Sequence, residues 1–132
     1  MTETYAYFWV SQFDGTTESM SERIGLQPTR AYLKGETNNR DKIQKYSGWE
    51  LHSPLPRDEE FLEVHIAALL QVLEPVRENL AAVRPSCTMG IICVGYYSGN
   101  PGFELSEELI SRCAALRLGI QFDLYCCGEA GE

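Results

Sequence analysis

The stretch DEEFLEVHIAALLQVLEPVRENL, residues Asp58–Leu80, decides how this chain must fold. Leu62, Ile66, Leu69, Leu73, Val76 and Leu80 recur at alternating steps of four and three, which sets them along one side of an α-helix. Asp58, Glu59 and Glu60 stand ahead of them, where the positive end of the helix dipole favours negative charge, so the helix is expected to open there. Pro75 lacks an N–H and crowds the preceding turn, which predicts a kink near Glu74 with the same face resuming beyond it. The stripe is too short and too interrupted for a coiled coil. It needs a sheet to cover.

The flanking segments supply one. Tyr5-Ala6-Tyr7-Phe8-Trp9-Val10-Ser11 is almost wholly apolar and aromatic and reads as a central strand. Gly48-Trp49-Glu50-Leu51-His52-Ser53 alternates large and polar side chains, the mark of a strand with one buried face, and Pro54 and Pro56 end it. Thr88–Tyr97 (TMGIICVGYY) reads as a buried strand, and Ile120–Tyr125 (IQFDLY) alternates as the last one. Thr29–Leu33 is expected to be extended. Two short helices complete the inventory. Ser19 with Glu22 forms a capping box for the first, which Gly25 closes before Pro28. Ser106 caps the second, with Glu107 and Glu108 in its first turn, Leu109, Ile110, Cys113 and Leu116 on its buried face, and Gly119 ending it. Gly35–Ser47 is polar and without period, and reads as a mobile surface loop.

These elements predict a single α+β domain over residues 1–132, with residues 128–132 frayed. The sheet is mostly antiparallel with four or more strands, and one face is covered by the long kinked helix and the two short ones. Ile24-Gly25-Leu26-Gln27 and Leu118-Gly119-Ile120-Gln121 echo one another at the ends of the two short helices. Each helix follows an aromatic strand, so a β-α-β unit duplicated on either side of the long helix is favoured.

Composition narrows the function. In 132 residues, 44% hydrophobic and 23% charged, there is no apolar run of membrane-spanning length and no basic, apolar signal segment at Met1–Tyr5. A cytoplasmic protein is expected. Eleven basic and nineteen acidic residues leave a net charge of −8, which repels nucleic acid and anionic membranes. The imbalance falls entirely after Arg57, a distribution that solubility explains and that is also suited to steering a basic protein partner. The five cysteines have no C-x-x-C spacing, and adjacent Cys126 and Cys127 have no histidine near them, so reduced thiols and no metal site are expected.

Catalytic motifs are missing as well. There is no G-x-S-x-G, H-E-x-x-H or P-loop, and Pro101 removes a donor that a phosphate cradle at Gly99–Gly102 would need. His52 falls on the polar face of its strand and His65 beside the apolar stripe; both read as structural. The carboxylates sit at helix starts, where the dipole accounts for them without catalysis. No enzyme activity and no cofactor are expected. What remains are candidate contact residues: Tyr32, Lys34, Glu36, Arg40 and Tyr46 around the polar loop, and Glu59, Glu60, Glu63, Glu104, Glu107 and Glu108 at the helix starts. Trp49 is assigned to the core, whereas Tyr32 and Tyr46 have the character of interface anchors.

Taken together, Gly25-Leu26-Gln27-Pro28-Thr29, the aromatic before Lys34-Gly35-Glu36, and Trp49-Glu50-Leu51-His52-Ser53 entering an acidic helix form a recognisable order. The second half adds an apolar strand, a serine-capped acidic helix start, Leu118-Gly119-Ile120 and Asp123-Leu124-Tyr125. This order resembles the bacterial family known as domain of unknown function 4279, over nearly the whole chain. The resemblance implies no activity. Small cytoplasmic families of this kind include antidotes to contact-delivered toxins, and by that analogy the expected role is non-catalytic. The chain would be an immunity protein that binds and neutralises a basic toxin domain. The alternative is a small-ligand-binding or regulatory module using the cleft beside Lys34-Gly35-Glu36.

Overall fold

The computed structural model describes residues 3–37, 42–99 and 102–126. Five strands form one sheet: β1 (Glu3–Ser11), β2 (Arg30–Tyr32), β3 (Gly48–His52), β4 (Thr88–Tyr97) and β5 (Ile120–Cys126), in the order β2-β3-β1-β4-β5. Every neighbouring pair is antiparallel except β4–β5, which is parallel. The helices are α1 (Thr17–Ile24), α2 (Leu62–Leu73), α3 (Arg77–Val83) and α4 (Glu107–Ala115). A single 3-10 turn at Glu74–Val76 joins α2 to α3, so the stretch that opened the sequence is one helix bent at Pro75, as its proline requires.

The core lies on one face of the sheet only. Along β1 the even residues Thr4, Ala6, Phe8 and Val10 are buried, while the odd ones stay partly exposed. Trp49 on β3, Ile91 and Cys93 on β4, and Leu62, Ile66, Leu69, Leu70 and Leu73 on α2 join the even face in one apolar cluster. Met20 and Ile24 of α1, Leu80 and Val83 of α3, and Cys113 of α4 enter the same cluster. All four helices therefore cover one side. Each fully buried large side chain contributes about 1.5–3 kcal/mol. Two polar groups that enter the cluster are paired: Trp49 Nε1 donates to Ser21 Oγ at 2.9 Å, and the Ser21 hydroxyl donates to Thr17 O.

Several expectations are corrected. The first helix is capped by Thr16, whose hydroxyl accepts from the Ser19 N–H, so Ser19 lies inside the helix instead of before it. The long helix starts at Leu62, not at Asp58. Residues 57–59 are tied to β1 instead, through Thr4 N–H to Arg57 O and the Thr4 hydroxyl to Glu59 O. Helix α4 stops at Ala115 without using Gly119: Arg117 takes the left-handed conformation (φ 56°), and Arg84 donates to the carbonyls of Leu116 and Arg117. Ile110, assigned to the buried face of α4, is 52% exposed. The described parts of the polar loop pair with each other. Thr37 and Ile43 form an antiparallel bridge, flanked by Gly35 N–H to Gln44 O and Gln44 N–H to Glu36 O.

β1 is central, as its sequence predicts, whereas the reading of β4 as a buried strand is half right: it is an inner strand, but the helices cover one of its faces. The two β-α-β units appear in element order, with β4-α4-β5 pairing its strands directly. In the first unit β3 lies between β1 and β2. Arg40, Asn100, Pro101 and the tail 128–132 lie outside the described residues.

Candidate functional site: the uncovered face of the sheet

On the face opposite the helices, cross-strand register brings together residues that the sequence scatters over 120 positions. Tyr7 pairs with His52 and with Ile92, Trp9 with Glu50 and with Gly90, Glu50 with Arg30, Gly48 with Tyr32, and Tyr96 with Tyr125. Side chains opposite one another across strands share a face, so each pair projects to the same side as the odd residues of β1.

The rings stack. Tyr7 and His52 lie 4.9 Å apart and 16° from parallel, and Tyr5 stacks on both of them. Tyr96 and Tyr125 stack at 5.0 Å. Two arginines lie over the rings: the Arg57 guanidinium 4.0 Å above Tyr5, and that of Arg30 4.9 Å above Tyr32. Each is also matched to a carboxylate, Arg57 to Glu3 at 2.8 Å and Arg30 to Glu50 at 3.5 Å.

Glu50 is the polar centre of the face. Its side chain is 12% exposed, and its Oε1 lies 3.1 Å from His52 Nε2. Burial, and secondly the Glu50 carboxylate, push the Tyr7 hydroxyl up to about 12, and the same two causes raise Tyr32 above its ordinary value. Both hydroxyls therefore keep their protons at any physiological pH and act as donors or neutral surfaces, never as bases.

Glycines let the rings lie flat. A Cβ at Gly48 would overlap the Tyr32 ring, and one at Gly90 would come within 3.2 Å of the Trp9 indole. A shallow groove of about 280 Å³ is lined by Tyr7, Trp9, Tyr32, Glu50, Ser11 and Gln121. The Trp9 Nε1 donor is buried without an acceptor among the described residues.

Among the described residues, Tyr32 is the one candidate contact residue that lies on this face. The sequence puts His52 on the polar side of its strand but reads it as structural, and it reads Tyr5, Tyr7 and Trp9 as part of a central strand. The other candidates divide between the two ends of β1, about 26 Å apart at strand rise. Lys34, Glu36 and Tyr46 belong to the Ser11 end, held there by Lys34 N–H to Ser47 Oγ and by the Ser11 hydroxyl to Ser47 O. Tyr46 is 56% exposed. Glu59, Glu60, Glu63, Glu104, Glu107 and Glu108 gather at the Glu3 end within the helical layer, where Glu63 Oε2 accepts from the Glu104 N–H at 3.0 Å. At the far ends of the same helices Glu74 pairs bidentately with Arg112, so α2 and α4 run side by side with their N-termini together.

His65 is a structural residue. Glu59 O can only accept, so His65 Nε2 carries the proton toward it at 3.0 Å, leaving Nδ1 to accept from the Ser53 hydroxyl at 2.8 Å. Among the described residues no group of three or more His, Cys, Asp or Glu is arranged to hold a metal ion, and no helix is long and apolar enough to cross a membrane.

A five-stranded sheet covered by helices on one side and by aromatic rings on the other defines a single-domain α+β protein whose surface chemistry is concentrated on its open face. The chain belongs to the family described as Domain of unknown function (DUF4279), whose match extends over residues 2–127. No curated protein and no solved structure matches it.

Proposed function

We propose that this is a non-catalytic binding protein, an immunity protein that neutralises a basic toxin domain by docking it on the uncovered face of the sheet. The observation that carries the reading is the composition of that face. Tyrosine, tryptophan and arginine dominate the energetics of protein interfaces, and here Tyr5, Tyr7, Trp9, Tyr32, Arg30, Tyr96 and Tyr125 share one surface. Tyr125 is 50% and Tyr96 36% exposed, an unusual amount of ring for a solvated surface. Their rigidity helps: rings already stacked lose little freedom on binding. The net charge of −8 supplies the complementary field, and the glutamates at the starts of α2 and α4 extend it into solvent, where it accelerates encounter with a basic partner.

The test is co-expression with a toxic domain encoded beside this chain, reading growth and co-purification. Restored growth together with a stable complex supports the reading. Growth inhibition that is unchanged by this protein overturns it.

A further inference from the structure

We propose that the groove bounded by Tyr7, Trp9 and Tyr32 and closed by Glu50 is a receptor for a guanidinium group, specifically an arginine side chain of the protein partner. The inference rests on the reading of this face as a docking surface and names the chemistry that its centre recognises.

The face already solves this recognition problem twice with its own residues. Arg57 lies over Tyr5 and pairs with Glu3; Arg30 lies over Tyr32 and pairs with Glu50. In both cases a planar cation is held by a ring from below and a carboxylate from the side, the combination that suits guanidinium better than ammonium. The groove sets the same parts side by side. Tyr7, Trp9 and Tyr32 line it, the Tyr32 ring resting over Gly48, and the Tyr32 face that Arg30 covers opens when that side chain swings out.

Glu50 supplies the charge, and one of its oxygens is loosely held. Its Oε1 lies 3.1 Å from His52 Nε2, but among the described residues its Oε2 has only Arg30, at 3.5 Å, outside good hydrogen-bond range. The Arg30 side chain is 56% exposed and can swing into water. An incoming guanidinium can take the place of Arg30 on Oε2, forming the short charge-assisted bonds that Arg30 does not make.

The depth of the groove selects the source of the cation. Sites for free small molecules bury most of the ligand's surface, and a groove of about 280 Å³ open along its length does not. A side chain anchored on a partner needs no such enclosure, because the rings at Tyr5, Tyr96 and Tyr125 continue the contact toward the Glu3 end of the face.

The experiment is an NMR titration of the ¹⁵N-labelled protein with three probes: N-acetyl triarginine amide, N-acetyl trilysine amide and free arginine amide. Expected are shifts at the Trp9 indole N–H and at the Arg30, Glu50 and His52 amides with triarginine, at least fivefold weaker binding of trilysine, and weaker binding still of arginine amide. Glu50→Gln should abolish the response with the rest of the spectrum retained. Arg30→Ala, which removes the internal competitor from an exposed edge position, should tighten triarginine binding two- to fivefold.

Equal affinity for trilysine, an unaltered response in Glu50→Gln, or weaker binding in Arg30→Ala overturns the inference, as does tightest binding by arginine amide, which would mark a metabolite site. Growth rescue separates the two proposals. Rescue without triarginine binding rejects the guanidinium receptor and leaves the docking reading standing; triarginine binding without rescue does the reverse.

Discussion

Thr4 of β1 and His65 of α2 meet over a single carbonyl. The Thr4 hydroxyl and His65 Nε2 both donate to Glu59 O, while Thr4 Oγ1 lies 3.2 Å from that same nitrogen. Both residues are fully buried. The contact locks the start of the long helix to the end of the central strand that carries the open-face tyrosines, and it uses the proton on His65 Nε2.

A pH dependence of stability follows. Burial holds the His65 imidazole below its ordinary 6.5, with the bond to Glu59 O opposing in part. The unfolded chain therefore takes up this proton at a higher pH than the folded one does. The stability contributed is complete above pH 6.5 and is lost as the pH falls from there through the folded value, with a slope of up to about 1.4 kcal/mol per pH unit. Urea midpoints between pH 7.5 and 5 measure it. The wild type and His52→Gln should share the decline, and His65→Asn should be less stable at pH 7.5 with a flatter profile. Parallel profiles in all three proteins would contradict this account of His65.

Gly48→Ala should lift the Tyr32 ring from the sheet, because the added methyl would occupy the same space. The expected loss is about 1–2 kcal/mol, with Arg30 released from its place over the ring. Gly99→Ala, where nothing lies within 4 Å of the new methyl, should stay within about 0.5 kcal/mol of wild type. Denaturation midpoints and the ring-current shift of the Arg30 side chain report both effects.

Cys93 sits in the core on the helix-covered face of β4, and burial pushes its thiol up to about 12, with Cys113 adding in the same direction. Brief iodoacetamide treatment at pH 8, read by peptide mass spectrometry, should leave Cys93 unmodified and label exposed Cys126. Cys93 should become labelled only in urea concentrations that unfold the chain.

The sequence made the helical layer legible because each of its signals is local. The four-three stripe, Pro75, Ser106 and Gly25 act within one or two turns, and all of them hold in the structure. Errors came where tertiary contacts compete with local ones. The acidic run at Asp58–Glu60 has the composition of a helix start, but Thr4 and His65 capture Glu59 O before the helix begins. Gly119 has the profile of a helix terminator, yet Arg84 draws off the carbonyls of Leu116 and Arg117 earlier in the chain.

The open face was hidden for a different reason. Tyr5, Tyr7 and Trp9 are as apolar as Ala6, Phe8 and Val10, so β1 shows no alternation to say that one side lacks a cover. The signal that carried information was weaker and lay on a partner strand: Glu50 and His52 alternate with Trp49 and Leu51, and register transfers that polarity to the tyrosines opposite. Pairing across strands is not written in any one of them.

The most direct test of the docking surface is the affinity of the purified protein for the toxic domain encoded beside it, measured by calorimetry for wild type, Tyr7→Ser and the double variant Glu107→Gln/Glu108→Gln. If the partner docks on the open face, Tyr7→Ser loses about 2 kcal/mol of binding, roughly thirtyfold, as a central aromatic contact should. The double glutamine variant should change affinity by less than about threefold, since rim charges act mainly on association rate. Wild-type affinity in Tyr7→Ser, with binding lost in the double variant, would place the partner on the helical side and contradict the account.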